Sequence, residues 1–356
     1  MRKAARSGVG CPNGECEQHG RHDAGNVVLH GFSKVKGGRR RRYRCTSCSK
    51  TFGATTGTPY KRLQYSKSRF DRVAALSVEG VNKSAIARLE GLSWNTVARW
   101  LELAAALARR FNAKHLRGHE LIELQLDEMN TFLQSRKQQT WVFASIDVWS
   151  RVWPATLVGA RTSRNTGRFV RSIADTSHGG GTPLITTDGF KFYAPTIRHV
   201  FGVGCVLAQV IKKIKRNRVV RVGTKLIVGT EWRLSDALRE SEDSTKLNTA
   251  FIERLNLTIR QGCAYLRRRS PCHARRKQTL EDHLELFRTV YNFVRPHSAL
   301  RFGKVTRTPA MQAGLAQKRF NFRDIFTARY AAARFAIVRF RTVAYHEEPE
   351  RVRCAA

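Results

Sequence analysis

Acidic residues and long hydrophobic segments are both scarce in this sequence. Only 27 Asp and Glu residues stand against 65 Lys and Arg residues, which gives a formal net charge of +38. Because such an excess repels itself in a compact fold, it indicates a polyanionic partner, usually a nucleic acid. No apolar run approaches the roughly 18 residues of a membrane-spanning helix, and no apolar stretch follows the basic start of the chain, as it does in a signal peptide. We therefore expect a soluble cytoplasmic protein with no membrane partner.

The eight cysteines do not suggest a disulfide framework, because an intracellular chain uses cysteine mainly as a metal ligand or a free thiol. Two close pairs lie near the amino terminus. They are Cys11 with Cys16 and Cys45 with Cys48. Two such pairs can offer four thiolates to one structural Zn2+ ion. The first pair is more widely spaced than is common, so His19 or His22 could replace Cys16 as a ligand.

A short segment with few apolar residues needs a metal to fold, so these pairs predict a zinc ribbon over residues 8–58. An arginine run directly precedes the second pair, and we expect it to face DNA phosphates. It consists of Arg39, Arg40, Arg41 and Arg42. The other cysteines are isolated in the sequence and are interpreted as buried or free thiols. They are Cys205, Cys263, Cys272 and Cys354.

Residues 66–112 have apolar positions at helical spacing and predict a helix-turn-helix DNA-binding domain. Asn82 and Ser93 are good N-caps for two consecutive helices, and Gly91 permits a tight turn between them. The inward face would be formed by Ile86, Ala87, Leu92, Val97 and Trp100. The outward face at the start of the second helix, where base edges are read in the major groove, carries Asn95, Thr96 and Arg99. An ordinary helical hairpin is the alternative interpretation.

From Leu121 the pattern changes to short strands that alternate later with helices, which predicts a mixed sheet with helices packed on it. Asp127 and Asp188 each end a strand, and Glu253 lies in a helix. Three such carboxylates can hold two Mg2+ ions that activate a nucleophile for phosphoryl transfer. Asp147 also ends an apolar strand, but we interpret it as structural, positioning the turn before Ser150.

Basic and amide side chains accompany these acids. Asn256 and Arg260 share a helical face with Glu253, so the arginine could clamp a phosphate and the asparagine could orient DNA or the glutamate. A basic segment over residues 212–225 could track the phosphate backbone without sequence preference. Its candidate DNA contacts are Lys212, Lys213, Arg216 and Arg218. Solvated helix and hairpin surfaces are the alternative for both groups.

The order of motifs carries a family resemblance. The sequences RYRC, LQLDEM, DVWSR, TTDGF, ERLNLTIRQ and YNFVRPHSAL follow one another as in transposases of the insertion-sequence-one family, which the chain resembles over roughly residues 11–315. The resemblance implies an RNase H-like fold and a catalytic triad of Asp127, Asp188 and Glu253. It also implies two Mg2+ ions, for which Mn2+ can substitute, and one structural Zn2+ ion. The implied partner is double-stranded DNA, both transposon ends and target, bound in the prokaryotic nucleoid by at least a dimer.

The sequence thus predicts a multidomain enzyme that cleaves DNA and transfers strands. Its expected segments are a zinc ribbon (8–58), a helix-turn-helix domain (66–112), an RNase H-like α/β catalytic domain (119–315) and a basic tail of unassigned role (316–356). One rival is a DNA-binding regulator without catalysis, such as a domesticated or decayed transposase. A second rival is a ribosome-associated basic protein, explained by charge alone.

Overall fold

The computed structural model describes residues 9–22, 24–35, 38–177, 183–216 and 218–328. These residues fall into two compact units, one within residues 9–54 and the other within residues 55–328. The expected helical domain and the expected sheet domain therefore belong to one compact unit. Residues 329–356, which include Cys354 and most of the expected basic tail, lie outside the described residues.

The first unit is built on a three-stranded antiparallel sheet. Its strands are β1 (Val27–Val35), β2 (Gly38–Cys45) and β3 (Thr51–Gly53). Among the described residues of this unit, the buried hydrophobic cluster consists of five side chains, and three of them are cysteines. They are Cys11, Cys16, Val27, Cys45 and Phe52. So small an apolar core supplies little hydrophobic stabilisation, which agrees with the expectation that a metal supports this segment.

The second unit begins with three helices, α1 (Lys67–Val78), α2 (Lys83–Glu90) and α3 (Trp94–His115). The side chains of Asn82 and Ser93 cap α2 and α3 by accepting hydrogen bonds from the amides of Ala85 and Thr96. Gly91 adopts a φ of 56° between the two helices, a left-handed conformation that glycine tolerates best. The predicted caps and turn are therefore confirmed at these residues.

A six-stranded mixed sheet forms the centre of the second unit. Its strands are β4 (Glu123–Phe132), β5 (Gln139–Asp147), β6 (Thr156–Gly159), β7 (Leu184–Thr187), β8 (Val206–Lys215) and β9 (Arg218–Val228). They are ordered β6-β5-β4-β7-β8-β9. The three strands β6, β5 and β4 are antiparallel, β4, β7 and β8 are parallel, and β9 pairs antiparallel with β8. The predicted mixed α/β sheet is confirmed, and the basic segment forms the β8–β9 hairpin.

Helices cover both faces of this sheet. Helices α4 (Ser163–Ala174) and α5 (Tyr193–Phe201) share a buried apolar cluster with Leu124 and Leu126 of β4. On the opposite face, α7 (Ala250–Gly262) packs against β4 and β5, and α8 (Lys277–Phe293) packs against β6. The shorter α6 (Glu231–Glu240) packs through Leu234 on the ends of β7 and β8. Successive residues of β4 thus face different helices, because strand side chains alternate.

The helical segment is joined to the sheet through α3 and α8. Phe111 of α3 packs edge to face on Phe293 of α8, with ring centroids 4.9 Å apart, and Arg109 forms an ion pair with Asp282. Asn112 is buried and donates a hydrogen bond of 3.0 Å to the Glu285 carboxylate. These contacts explain in physical terms why the helical segment and the sheet form one unit.

The chain continues after α8 through a small hairpin and two short helices. They are β10 (Arg301–Phe302), β11 (Val305–Thr306), α9 (Pro309–Gln312) and α10 (Phe322–Thr327). Phe326 of α10 is buried against Phe70 of α1, with centroids 5.4 Å apart. Residues 316–328 of the expected tail therefore belong to the folded unit.

Among the described helices, none has both the length and the apolar character needed to cross a membrane.

Candidate metal centres and nucleic-acid surfaces

The four cysteines near the amino terminus come together in the first unit. The Sγ atoms of Cys11 and Cys48 are 3.6 Å apart, those of Cys16 and Cys45 are 3.8 Å apart, and all four lie within 4.8 Å of one another. In a tetrahedral site with Zn–S bonds of ~2.3 Å, neighbouring sulfurs are ~3.8 Å apart. The cluster therefore fits a zinc ion, and Cys16 belongs to it, whereas His19 and His22 are not part of this group.

Polar groups around the cluster favour the thiolate form of Cys45. Burial opposes ionisation of Cys45, but backbone amides of Cys48 and Ser47 and the amide of Asn26 outweigh burial and lower its pKa to about 6. Asn26 is itself buried and donates to Cys45 Sγ at 3.3 Å. Burial raises the pKa of Cys11 to about 12. Without a cation, repulsion prevents all four thiols from ionising together. A bound metal ion would allow all four to be thiolates.

The arginine run lies on β2. Arg39 and Arg41 are exposed, Arg40 and Arg42 are half-buried, and Arg42 donates to Thr51 on the neighbouring strand. The Arg41 guanidinium lies 5.1 Å from the ring centroid of Phe32, which is 56% exposed on β1. The hairpin therefore presents cations and one exposed aromatic ring to solvent.

The start of α3 presents the expected polar side chains. Asn95 and Arg99 are exposed, and Thr96 is half-buried with its hydroxyl 2.8 Å from that of Ser93. The neighbouring Trp94 is 52% exposed, and the Lys83 ammonium lies 5.4 Å from its ring centroid. Trp94 was not among the residues expected to contact DNA, although an exposed tryptophan at the first position of a helix is a recognisable signal.

Asp127 and Asp188 lie side by side at the centre of the sheet. The parallel register pairs Leu126 of β4 with Thr187 of β7, so each aspartate comes one residue after this pair. Their carboxylates and that of Glu128 lie within 4.8 Å of one another. β7 ends at Thr187, just before Asp188, but β4 continues through Asp127 to Phe132, so the prediction that Asp127 ends its strand is wrong. The parallel pairing of the two strands brings together two acids that are far apart in the sequence.

Glu128 was missed by sequence reasoning. It follows Asp127 on β4, and strand alternation alone would send the two side chains to opposite faces. Glu128 is held on the α5 side by the Tyr193 hydroxyl, which donates at 2.8 Å, and by an ion pair with Arg161. Burial and then the charge of Asp188 raise the pKa of Glu128 to about 7. The consecutive acids in LDEM are the signal that could have drawn attention to it.

Arg161 also contacts the second aspartate. Its guanidinium lies 3.8 Å from Asp188 and stacks over the rings of Phe190 and Trp141, with centroid distances of 4.0 and 4.8 Å. These aromatic faces and Glu128 fix the arginine beside the acidic cluster. Arg161 thus places a positive charge on one side of the cluster.

Glu253 reaches the same cleft from α7, but it is not a member of the group within 4.8 Å. Its carboxylate forms an ion pair with Lys212 of β8 and accepts a hydrogen bond of 2.8 Å from Thr249. Burial acts to raise the pKa of Glu253, but these two hydrogen bonds prevail and the net shift is downward. Lys212, expected on the DNA surface, is therefore engaged with the third acid.

Helix α7 is fixed to β4 by amide side chains. The buried Gln125 accepts hydrogen bonds of 3.1 Å from the amides of Phe251 and Ile252 in the first turn of α7. One helical turn later, Asn256 donates to Asp127 Oδ2 at 2.8 Å. Asn256 is buried, so the structure places it as a contact of Asp127. Gln125 was not foreseen, because a glutamine on a strand carries no specific signal.

Burial and the neighbouring acids raise the pKa of Asp127. Burial, followed by the charges of Asp188 and Glu253, raises the pKa of Asp127 to about 6, although the Glu128 amide acts in the opposite direction. Carboxylate oxygens are the ligands that Mg2+ prefers, and a cation among them relieves this repulsion. The donor set of Asp127 and Asp188, with Glu253 at the rim, therefore fits a divalent metal.

Basic residues line the same open cleft. Arg260, Arg267 and Arg268 lie along it with Asp127 and Glu253, and Arg260 is half-buried. On the hairpin, Arg216 is exposed at the turn after β8. The side chains of Lys213 and Arg218, also expected to contact DNA, lie outside the described residues.

Asp147 has the structural role that its context predicted. It is fully buried and accepts hydrogen bonds from the amides of Ile122 and Ser150, at 3.3 and 3.0 Å, and from the Ser150 hydroxyl. It therefore fixes the turn after β5 and does not join the acidic cluster.

The chain matches no known protein-family model and no curated protein.

Proposed function

We propose that the protein is a DNA transposase that cleaves the ends of its mobile element and joins them to target DNA with the help of Mg2+. The observation that carries this proposal is the close pair of Asp127, within β4, and Asp188, directly after the parallel strand β7, with Glu253 reaching the same cleft as Asp127 from α7. This arrangement offers oxygen ligands to metal ions beside a cleft lined with arginine.

The sheet supports the RNase H-like part of the proposal. Three antiparallel strands are followed by a helix, a parallel strand, a helix and another parallel strand. This is the element order that the sequence pattern predicts for residues 121–210. The additional strand β9 extends the sheet through a basic hairpin.

The reaction divides among residues of this chain. Metal ions, when bound, activate the attacking oxygen and stabilise the leaving oxygen of an in-line phosphoryl displacement. Asp127 and Asp188 would hold them, Asn256 orients Asp127, and Glu253 completes the ligand set from α7. Arg260 and its neighbours Arg267 and Arg268 neutralise the scissile phosphate and its flank.

The recognition of element ends would belong to other surfaces. Helices α2 and α3 would act as a helix-turn-helix, with Asn95, Thr96 and Arg99 reading base edges in the major groove. The cysteine cluster would hold a structural Zn2+ ion, and the β2 arginines would contact phosphates. Because two ends must be joined in one event, the active form on DNA would be at least a dimer. The proposed location is the cytoplasm of a prokaryotic cell, on the nucleoid.

The test is cleavage and strand transfer on duplexes that carry the terminal inverted repeats flanking the gene. We expect Mg2+-dependent products with the wild-type chain and a loss of about three orders of magnitude for Asp188→Ala. Asp175→Ala, which removes an exposed aspartate at the end of α4, is the matched control and retains activity. DNA binding and thermal unfolding show whether each variant is intact.

A different result would identify the rival function. If wild type and Asp188→Ala bind the ends equally tightly and neither cleaves them with Mg2+ or Mn2+, the protein is a DNA-binding regulator. Salt-resistant sedimentation with ribosomes, without binding to the ends, would favour a ribosome-associated basic protein.

A further inference from the structure

The third acid of the cleft is held by a lysine from another element. Lys212 Nζ contacts Glu253 Oε1 and donates to the Thr249 hydroxyl at 3.1 Å, and that hydroxyl in turn donates to the same oxygen of Glu253. The three groups form a closed set of contacts between β8 and the first turn of α7. The carboxylate most exposed to solvent in the cleft thus already has a cationic partner.

Lys212 faces the acidic cluster as well as Glu253. Its charge acts to lower the pKa of Asp127, opposite in direction to the charges of Asp188 and Glu253. On the other side of the cluster, Arg161 approaches Asp188. The cluster is therefore flanked by one basic side chain toward Asp188 and another toward Glu253.

The two basic side chains differ in how firmly they are held. Arg161 is stacked between two aromatic rings and paired with buried Glu128. Lys212 lies on the β8–β9 hairpin, has no aromatic ring among its described contacts, and contacts Glu253 and Thr249 in the cleft. An ammonium group on a flexible stem exchanges partners readily, and a DNA phosphate is an equivalent partner.

We propose that Lys212 is a positioning residue that keeps Glu253 from the metal site until DNA is bound. The proposal rests on the metal-dependent function proposed above. DNA in the cleft attracts the Lys212 ammonium to a phosphate, and Glu253 is then released to a metal ion beside Asp127. Because the same lysine opposes metal binding and favours DNA binding, metal and DNA each strengthen the binding of the other.

The test is an equilibrium titration of the zinc-loaded full chain with Mn2+, in which electron paramagnetic resonance measures free Mn2+. Without DNA, we expect Lys212→Met to bind Mn2+ roughly tenfold more tightly than wild type, because a charge beside the site is removed. Lys212→Arg keeps the charge and should stay within about twofold of wild type. The gain must disappear when Glu253→Gln is added to Lys212→Met.

Lys225 supplies the matched control. It lies on β9 of the same hairpin, and strand alternation from Val222, the register partner of Lys212, places it on the opposite face. Lys225→Met removes the same charge and should leave Mn2+ affinity without DNA unchanged. An equal gain in Lys225→Met would show that only the net charge of the hairpin matters, and it would overturn the proposal.

A second measurement tests the coupling. Random-sequence duplex DNA should raise the Mn2+ affinity of wild type by a larger factor than that of Lys212→Met, and Mn2+ should raise DNA affinity by the same factors, since binding coupling is reciprocal. Equal factors in the two proteins would contradict the proposal. If Asp188→Asn abolishes Mn2+ binding while Lys212→Met matches wild type, the metal site stands and only the role of Lys212 fails. If none of the proteins binds Mn2+, the proposed metal-dependent function fails with it.

Discussion

The cysteine cluster of the first unit and the carboxylate cluster of the second place candidate metal ligands in opposite environments. The cysteines form most of a small buried core, and backbone amides and Asn26 donate to their sulfurs. The carboxylates lie at an open cleft, where Arg161, Lys212 and Asn256 contact them. At the first cluster four cysteines would surround the ion completely, which is typical of structural zinc sites. The second cluster leaves room for a substrate.

The two clusters also differ in what they do to stability. Residues 9–54 have too few apolar side chains to fold on hydrophobic burial alone, so a metal on the cysteines would supply much of their stability. The second unit has a large apolar core on one sheet face, and its acids repel one another. The carboxylate cluster should therefore cost stability until a cation binds.

The largest expected effect is the unfolding of the first unit when its cysteines can no longer bind zinc. Cys45→Ser should abolish zinc binding and unfold residues 9–54, because a structural zinc ion contributes on the order of 10 kcal/mol in small zinc domains. Zinc content and limited proteolysis of the purified chain measure this. Cys272→Ser, at a half-buried isolated cysteine, should change neither the zinc content nor the proteolysis pattern. If residues 9–54 of metal-free Cys45→Ser still resist proteolysis, the first unit does not depend on a metal for its stability.

A buried acid outside both clusters should stabilise the fold. Asp147→Ala leaves the amides of Ile122 and Ser150 and one hydroxyl without their acceptor in a fully buried turn, so we expect the free energy of unfolding to fall by about 3 kcal/mol. Denaturant unfolding of the second unit measures this loss. Asp175→Ala should leave the free energy of unfolding nearly unchanged. An equal decrease in both variants would show that the buried hydrogen bonds of Asp147 contribute nothing special to stability.

Replacing Asp127 in the cleft should have the opposite effect on stability, and a smaller one. The pKa of Asp127 is raised to about 6 above its ordinary value of ~3.9, so between these values the folded state binds more protons and metal-free stability falls as pH rises. Asp127→Asn should therefore raise metal-free stability by about 2 kcal/mol at pH 8 and leave it unchanged at pH 4. Asn retains an acceptor for Asn256.

Unfolding curves at the two pH values, measured with a chelator that leaves zinc in place, test this sign. Wild type should be stabilised by Mg2+ at pH 8, and Asp127→Asn should not. A variant that is less stable than wild type at pH 8 would show that the carboxylate is held by favourable contacts and does not cost stability.

The sequence predicted local features well where a single residue type decides them. Asn82, Gly91 and Ser93 place the ends of α2 and α3 because capping and positive φ depend on neighbouring residues. The end of β7 just before Asp188 followed from an apolar run that stops at an acid, whereas β4 continues past Asp127 to Phe132. The closeness of Asp127 and Asp188 also followed, once β4 and β7 were expected in one sheet.

Other parts of the cleft could not be read from local sequence. Glu128 joins the acidic group because Tyr193 and Arg161 hold it there, and these residues are remote in the chain. Lys212 was expected on the DNA surface, yet the β8–β9 pairing brings it to Glu253 on α7. Gln125 became a contact of α7 for the same reason.

The sequence by itself determined the excess of positive charge, the cysteine pairs, the helix caps and the end of β7 before Asp188. These features depend on composition or on residues within a few positions of one another. Only the tertiary structure decided that α3 and α8 join the helices to the sheet, and which cation stands beside which acid. Such pairings depend on contacts between residues separated by tens to hundreds of positions, and no local pattern encodes which of several basic side chains will lie nearest a given carboxylate.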